Sequence, residues 1–171
     1  MRRAFPLYAA TVVLALAGPA AAQDQRTISA HNMQLAVEIC LRNYRTETAL
    51  PQAFGAAGFS VSPGPDAGYA SFAADGVTGA FSTSQAQGFC SVQSTLVDLA
   101  TAGDLGSRMA QSLFPGQVHA GGPEHPVGAP LPPCAGLSVF APQQLITITY
   151  AAAGNSGECI TDGTSAVVIN M

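Results

Sequence analysis

Met33, Val37, Cys40, Leu41 and Tyr44 recur at three- and four-residue spacing, so one apolar stripe runs along a helix that Ser29 can cap and that ends near Arg45. A shorter helix follows, with Thr48 as its cap, Pro51 in the first turn, Phe54 on its inner side and Gly58 as the left-handed stop. Ser62-Pro63-Gly64-Pro65-Asp66 is turn chemistry. The period then changes from helical to two. Tyr69 to Ala74 alternates up to Asp75-Gly76, a strong two-residue hairpin signal, and Val77 to Thr83 answers as the second strand. A third strand is expected from Phe89 to Leu99, with Cys90, Val92 and Leu96 on one face, and Asp98 at its end.

Thr101 and Asp104 stand in capping-box spacing and open a helix to about Phe114, which Gly103 and Gly106 weaken by about 1 kcal/mol each relative to Ala. Residues 115–135 are rich in Pro and Gly and form an irregular connection, of a length that compact domains seldom carry without a use for it. Strands return at Leu137 to Ala141 and Leu145 to Tyr150. A last strand or bent pair runs from Cys159 to Ile169 around Asp162-Gly163. The expected fold is α+β: N-terminal helices, a mostly antiparallel sheet of about five to seven strands, and one further helix on a face of it.

Phe72, Phe81 and Gly88-Phe89-Cys90 are echoed by Phe140, Tyr150 and Gly157-Glu158-Cys159, with Phe-to-Cys spacings of 18 and 19. The echo suggests a duplicated α-β-β-β unit with halves at 49–99 and 102–171, in which Cys90 and Cys159 are equivalent.

The ends of the chain and its cysteines change the picture from fold to compartment. Met1-Arg2-Arg3, the apolar run Ala9 to Leu16, Gly18-Pro19 and Ala20-Ala21-Ala22 have the order of a signal peptide cleaved after Ala22. No Cys follows for a lipid anchor, and the short n-region fits Sec export better than the twin-arginine route that Arg2-Arg3 suggests. The remaining domain, 23–171, holds Cys40, Cys90, Cys134 and Cys159, an even number that favours two disulfides in a periplasmic or secreted protein. Three connectivities are open; one bridge per half favours Cys40–Cys90 with Cys134–Cys159. No C-x-x-C pair is present.

Composition excludes more than it selects. The 171 residues are 48% hydrophobic and 9% charged, with net charge −4, no Lys and no basic run after residue 3, which excludes a nucleic-acid binder. Cleavage leaves four Arg against ten acidic residues, 4 − 10 = −6. No segment after the leader approaches the ~20 apolar residues of a membrane span.

Candidate chemistry is sparse. His119, Glu124 and His125 lie close together in the long loop and are candidates for a metal site shared with His31 or an acid from elsewhere; their spacing fits no helical ligand register and Pro123 and Pro126 exclude a helix there. Gly154-Asn155-Ser156-Gly157 has the order of the serine-protease nucleophile, but no histidine stands in that family's Ala-Ala-His-Cys context, and a turn explains it. Neither G-x-x-x-x-G-K nor G-x-G-x-x-G occurs, so no cofactor is indicated. Glu38 and Arg42 are spaced as an exposed helix pair. Asp98, on an otherwise apolar strand face, marks either the strand's exposed end or a buried functional carboxylate.

The reading that results is an exported, non-catalytic binding or interaction domain whose partner is an envelope protein, a peptide or a small ligand, bound through the Gly116–Pro133 loop and an exposed sheet edge. The alternatives are a small metal-dependent or hydrolytic enzyme using His119, Glu124 or His125, and a structural envelope protein.

Overall fold

In the computed structural model the described residues are 19–82, 88–122, 130–131, 134–154 and 159–171, with side chains from Ala22 onward. The first helix, α1 (Pro19–Arg42), buries Met33, Val37, Cys40 and Leu41 as their spacing predicts. It begins ten residues earlier than the expected cap. Ser29 is not a cap but a buried mid-helix residue whose hydroxyl donates to the Gln25 carbonyl at 2.7 Å. Residues 22–28 carry exposed or half-buried side chains, so the packed part of α1 starts at Ser29. Residues 1–18 of the expected leader lie outside the described residues.

A 3-10 turn, Glu47–Ala49, takes up Thr48 and leads into α2 (Leu50–Ala56), with Pro51 in its first turn and Gly58 at φ +89° beyond its end. Thr48 therefore caps nothing. The strands are β1 (Ser60–Pro63), β2 (Tyr69–Ala74), β3 (Val77–Ser82) and β4 (Phe89–Ser94) before helix α3 (Leu99–Leu113). After it come β5 (Val118–Ala120), β6 (Leu137–Ala141), β7 (Gln144–Ala151) and β8 (Ser165–Asn170). Every pairing is antiparallel, and the eight strands form one sheet in the order β1-β2-β3-β4-β8-β7-β6-β5.

The sheet has eight strands against the five to seven expected. The two for which the pattern gave no segment are its edges: β1 is four residues long with two serines and Pro63, and β5 has three residues inside the long connection. Neither has enough alternation to announce itself. The third strand stops at Ser94, not Leu99. The buried Ser94 hydroxyl donates to Gly76 O at 2.7 Å and accepts from Leu96 N at 3.1 Å and Val97 N at 3.3 Å. Those bonds turn the chain, leave Leu96 exposed at 36%, and set Asp98 at the head of α3. The last strand starts at Ser165, because Asp162 Oδ1 accepts from Thr164 N and Thr164 Oγ1 and holds a turn there.

All three helices pack on one face of the sheet: α1 on β3, β4 and β8, α2 on β1, and α3 on β7 and β8. Phe54 of α2 stacks on Phe72 at 4.0 Å and on Phe81 at 5.5 Å, with Phe59 set edge-on at 5.2 Å, a ring cluster that fixes α2 on the first half of the sheet. Among the described residues no strand contains an Asp, Glu, Lys or Arg, so their charges sit on helices and connections.

Two four-strand meanders, each behind a helix, meet along β4–β8. Each meander has four strands where the expected unit had three, and the helix ahead of the second begins at Leu99. The residue equivalences read from the sequence do not hold. Phe72 is buried whereas Phe140 is exposed, and Cys90 lies inside β4 whereas Cys159 lies outside any strand. The pairing argued from them is nevertheless the one formed: Cys40–Cys90 and Cys134–Cys159. The first bridge pins α1 to the middle of the sheet. The second joins the chain ahead of β6 to the chain between β7 and β8.

Candidate functional site

Asp98 is the cap of α3: its Oδ1 accepts from Thr101 N at 2.8 Å, and that bond, with the Thr101 side chain, holds its carboxyl below the usual carboxylate range. The capping role thus belongs to Asp98 and not to Thr101 with Asp104. Asp98 is exposed and is no buried functional carboxylate. Started there, α3 turns Leu99, Ala102, Leu105, Gly106, Met109 and Ala110 toward the core. The adjoining stripe of Ala100, Gly103, Asp104 and Ser107 is left on the flank.

That flank lines a cleft of about 420 Å³, closed on the other side by Leu131 and Ala135–Leu137 with Tyr150 and Thr161. The volume lies within the range of small-molecule pockets, roughly 300–1,000 Å³. The Cys134–Cys159 bridge fastens two of its walls together, since Ala135 follows one cysteine directly and Thr161 lies two residues past the other.

Tyr150 is the unusual member. Its side chain reaches from β7 toward α3, is 7% exposed, and its hydroxyl is the buried side-chain polar atom that has no hydrogen-bond partner among the described residues. Burial first, and the Asp104 carboxylate second, push its ionisation far up, so it stays a neutral donor. The ring fits because α3 has no side chain at Gly106: a Cβ there would lie 2.7 Å from Tyr150 Oη and 3.0 Å from Cε1. Gly103, one turn earlier, faces open space. Smaller clefts of about 340 Å³ at Gly88, Phe89, Asn170 and Met171, and about 210 Å³ beside Gly76 and Ser94, lack such an orphaned group.

The residues singled out in the sequence are scattered. His119 is exposed on edge strand β5, edge-on to Phe140 at 5.2 Å, while Glu124 and His125 lie outside the described residues. His31 is exposed on α1, on another element. Among the described residues no group of three or more His, Cys, Asp or Glu is placed to hold a metal ion. Glu38 and Arg42 form the expected surface pair at 2.7 Å. Gly154 sits in a turn at φ +74°, and Asn155–Gly157 lie outside the described residues. Of the Gly116–Pro133 loop, Val118–Ala120 is the edge strand and Leu131 reaches the cleft.

Tyr150, Asp104, Gly103 and Ser107 were not read as site residues from sequence. The available signal was Gly103, Gly106 and Ser107 together, a small-residue stripe on a helix that helix propensity alone would not choose. No helix among the described residues is long and apolar enough to cross a membrane. No protein family, curated protein or solved structure matches the chain.

Proposed function

We propose that this chain is an exported, non-catalytic binding domain of an oxidising compartment, periplasmic or extracellular, and that it takes a small ligand in the cleft between α3 and β7. The observation that carries the reading is the buried, unpartnered hydroxyl of Tyr150, a residue that lines a mostly apolar cleft of about 420 Å³. A buried polar group without a partner costs stability, of the order of 1–3 kcal/mol, and a site that must hydrogen-bond a ligand is one reason to bear that cost.

Two disulfides support the compartment. The exposed or half-buried side chains of residues 22–28, just past Ala22, are in keeping with cleavage after Ala22. The cleft lining offers apolar surface, two hydroxyls, a phenol and one carboxylate, a set suited to recognition. The Gly116–Pro133 loop contributes Leu131 to it, in keeping with a binding loop on a rigid sheet.

Native mass spectrometry of the protein recovered from its own export compartment tests this. The expected result is a chain beginning at Gln23, four hydrogens lighter than its reduced form, carrying a small-molecule mass that dissociates on unfolding. A reduced chain in the cytoplasm overturns the compartment, and a bare mass in every preparation overturns the small-ligand reading.

A further inference from the structure

The binding reading leaves the ligand open, and the cleft's chemistry narrows it. Its walls are apolar at Leu99, Leu131 and Leu137, which suits a hydrocarbon body. Tyr150, on the lining, carries a neutral phenol whose buried hydroxyl is a donor in need of an acceptor. Asp104, on the same lining and close enough to act on the phenol's ionisation, offers an acceptor in need of a donor. Among the described residues no Lys, Arg or His lines the cleft, and the chain as a whole is anionic. A carboxylate or phosphate head would face Asp104 unpaired, with like charges opposed.

We infer that the cleft binds a neutral amphipathic small molecule, an alkyl or similarly apolar body ending in an amide or hydroxyl that accepts from Tyr150 Oη and donates to Asp104. Such a head satisfies both groups at once, and each of the two protein groups selects against a different wrong ligand. A plain hydrocarbon leaves Tyr150 orphaned; an anion is repelled by Asp104. This rests on the binding reading above.

Hexanamide, 1-hexanol, hexanoate and hexylammonium share one body and test the head group. Calorimetric titration of the oxidised protein at pH 7 should give saturable binding of hexanamide and 1-hexanol, with hexanoate at least tenfold weaker. Tyr150→Phe should weaken hexanamide at least tenfold while the ligand-free melting temperature stays equal or rises, because the variant removes a hydroxyl that has no partner. A merely structural tyrosine would lower that temperature instead. Gly103→Phe, built into open space, should abolish binding; if it does not fold, Ser107→Leu fills the same wall.

Equal affinity of hexanoate and hexanamide overturns the ligand class, as does hexylammonium as the one ligand bound. Hexanamide binding untouched by both Tyr150→Phe and the filling variant places the site elsewhere and overturns the inference. A co-purified ligand lost in Gly103→Phe, together with no binding of the hexyl series, overturns the ligand class and leaves the binding domain standing.

Discussion

Gly106 and Tyr150 are fitted to each other across the α3–β7 contact: a Cβ at position 106 would stand only 2.7 Å from the phenol oxygen. The pair explains why position 106, on the buried side of α3, holds no helix former, although Ala there would gain about 1 kcal/mol in propensity. Gly106→Ala should therefore destabilise the protein by about 1–2 kcal/mol net, overpacking outweighing propensity. The same substitution in a Tyr150→Phe background should cost measurably less, and a double-mutant cycle by urea unfolding reads the coupling. Gly103→Ala, facing open space, should do the opposite and stabilise by up to about 1 kcal/mol.

The α3 cap gives a pH-dependent prediction. Asp98 has its carboxyl lowered in the folded protein by the Thr101 N–H and side chain. Its contribution is fully present above the unfolded value of about 3.9 and is lost as pH falls through the lower folded value. Asp98→Ala should cost about 1 kcal/mol at pH 7 and progressively less in acid, whereas Asp98→Asn should cost little at either pH. Unfolding curves of the three proteins between pH 2.5 and pH 7 check the sign.

The two disulfides should differ in reactivity and in consequence. Cys40 and Cys90 are both fully buried, whereas Cys159 is exposed and Cys134 half-buried. Mild reductant should open Cys134–Cys159 first, with alkylation and peptide mapping as the readout. Replacing both of those cysteines by Ser should leave the sheet intact and weaken cleft binding, because the bridge ties the Ala135 wall to the Thr161 wall. Replacing Cys40 and Cys90 should instead cost stability, about 2–5 kcal/mol.

Elements with a strong period were legible in the sequence: the stripe of α1, the Asp75-Gly76 hairpin of β2 and β3, and the alternation of β7. Gly76 adopts φ +73° at the second central position of that turn, where a glycine is favoured. The edge strands were not legible, since four residues of Ser60–Pro63 and three of Val118–Ala120 carry little pattern. Asp98 was misplaced because strand and helix periods overlap where Ser94 turns the chain. The cysteine pairing came out right on an equivalence that the topology denies, since Cys159 belongs to no strand. The cleft was hidden for a different reason. Its walls come from α3, Leu131, residues 135–137, Tyr150 and Thr161, which only the β6–β7–β8 pairing and the second bridge bring together.

The most direct test of a ligand site beside Tyr150 is a ¹H–¹⁵N correlation spectrum of the oxidised protein during addition of hexanamide. Saturable shifts should concentrate at Gly103, Asp104, Ser107, Gly136, Leu137 and Tyr150. Shifts confined to the opposite face of the sheet, at Thr147, Thr149 and Val168, or no shifts at all, would contradict it.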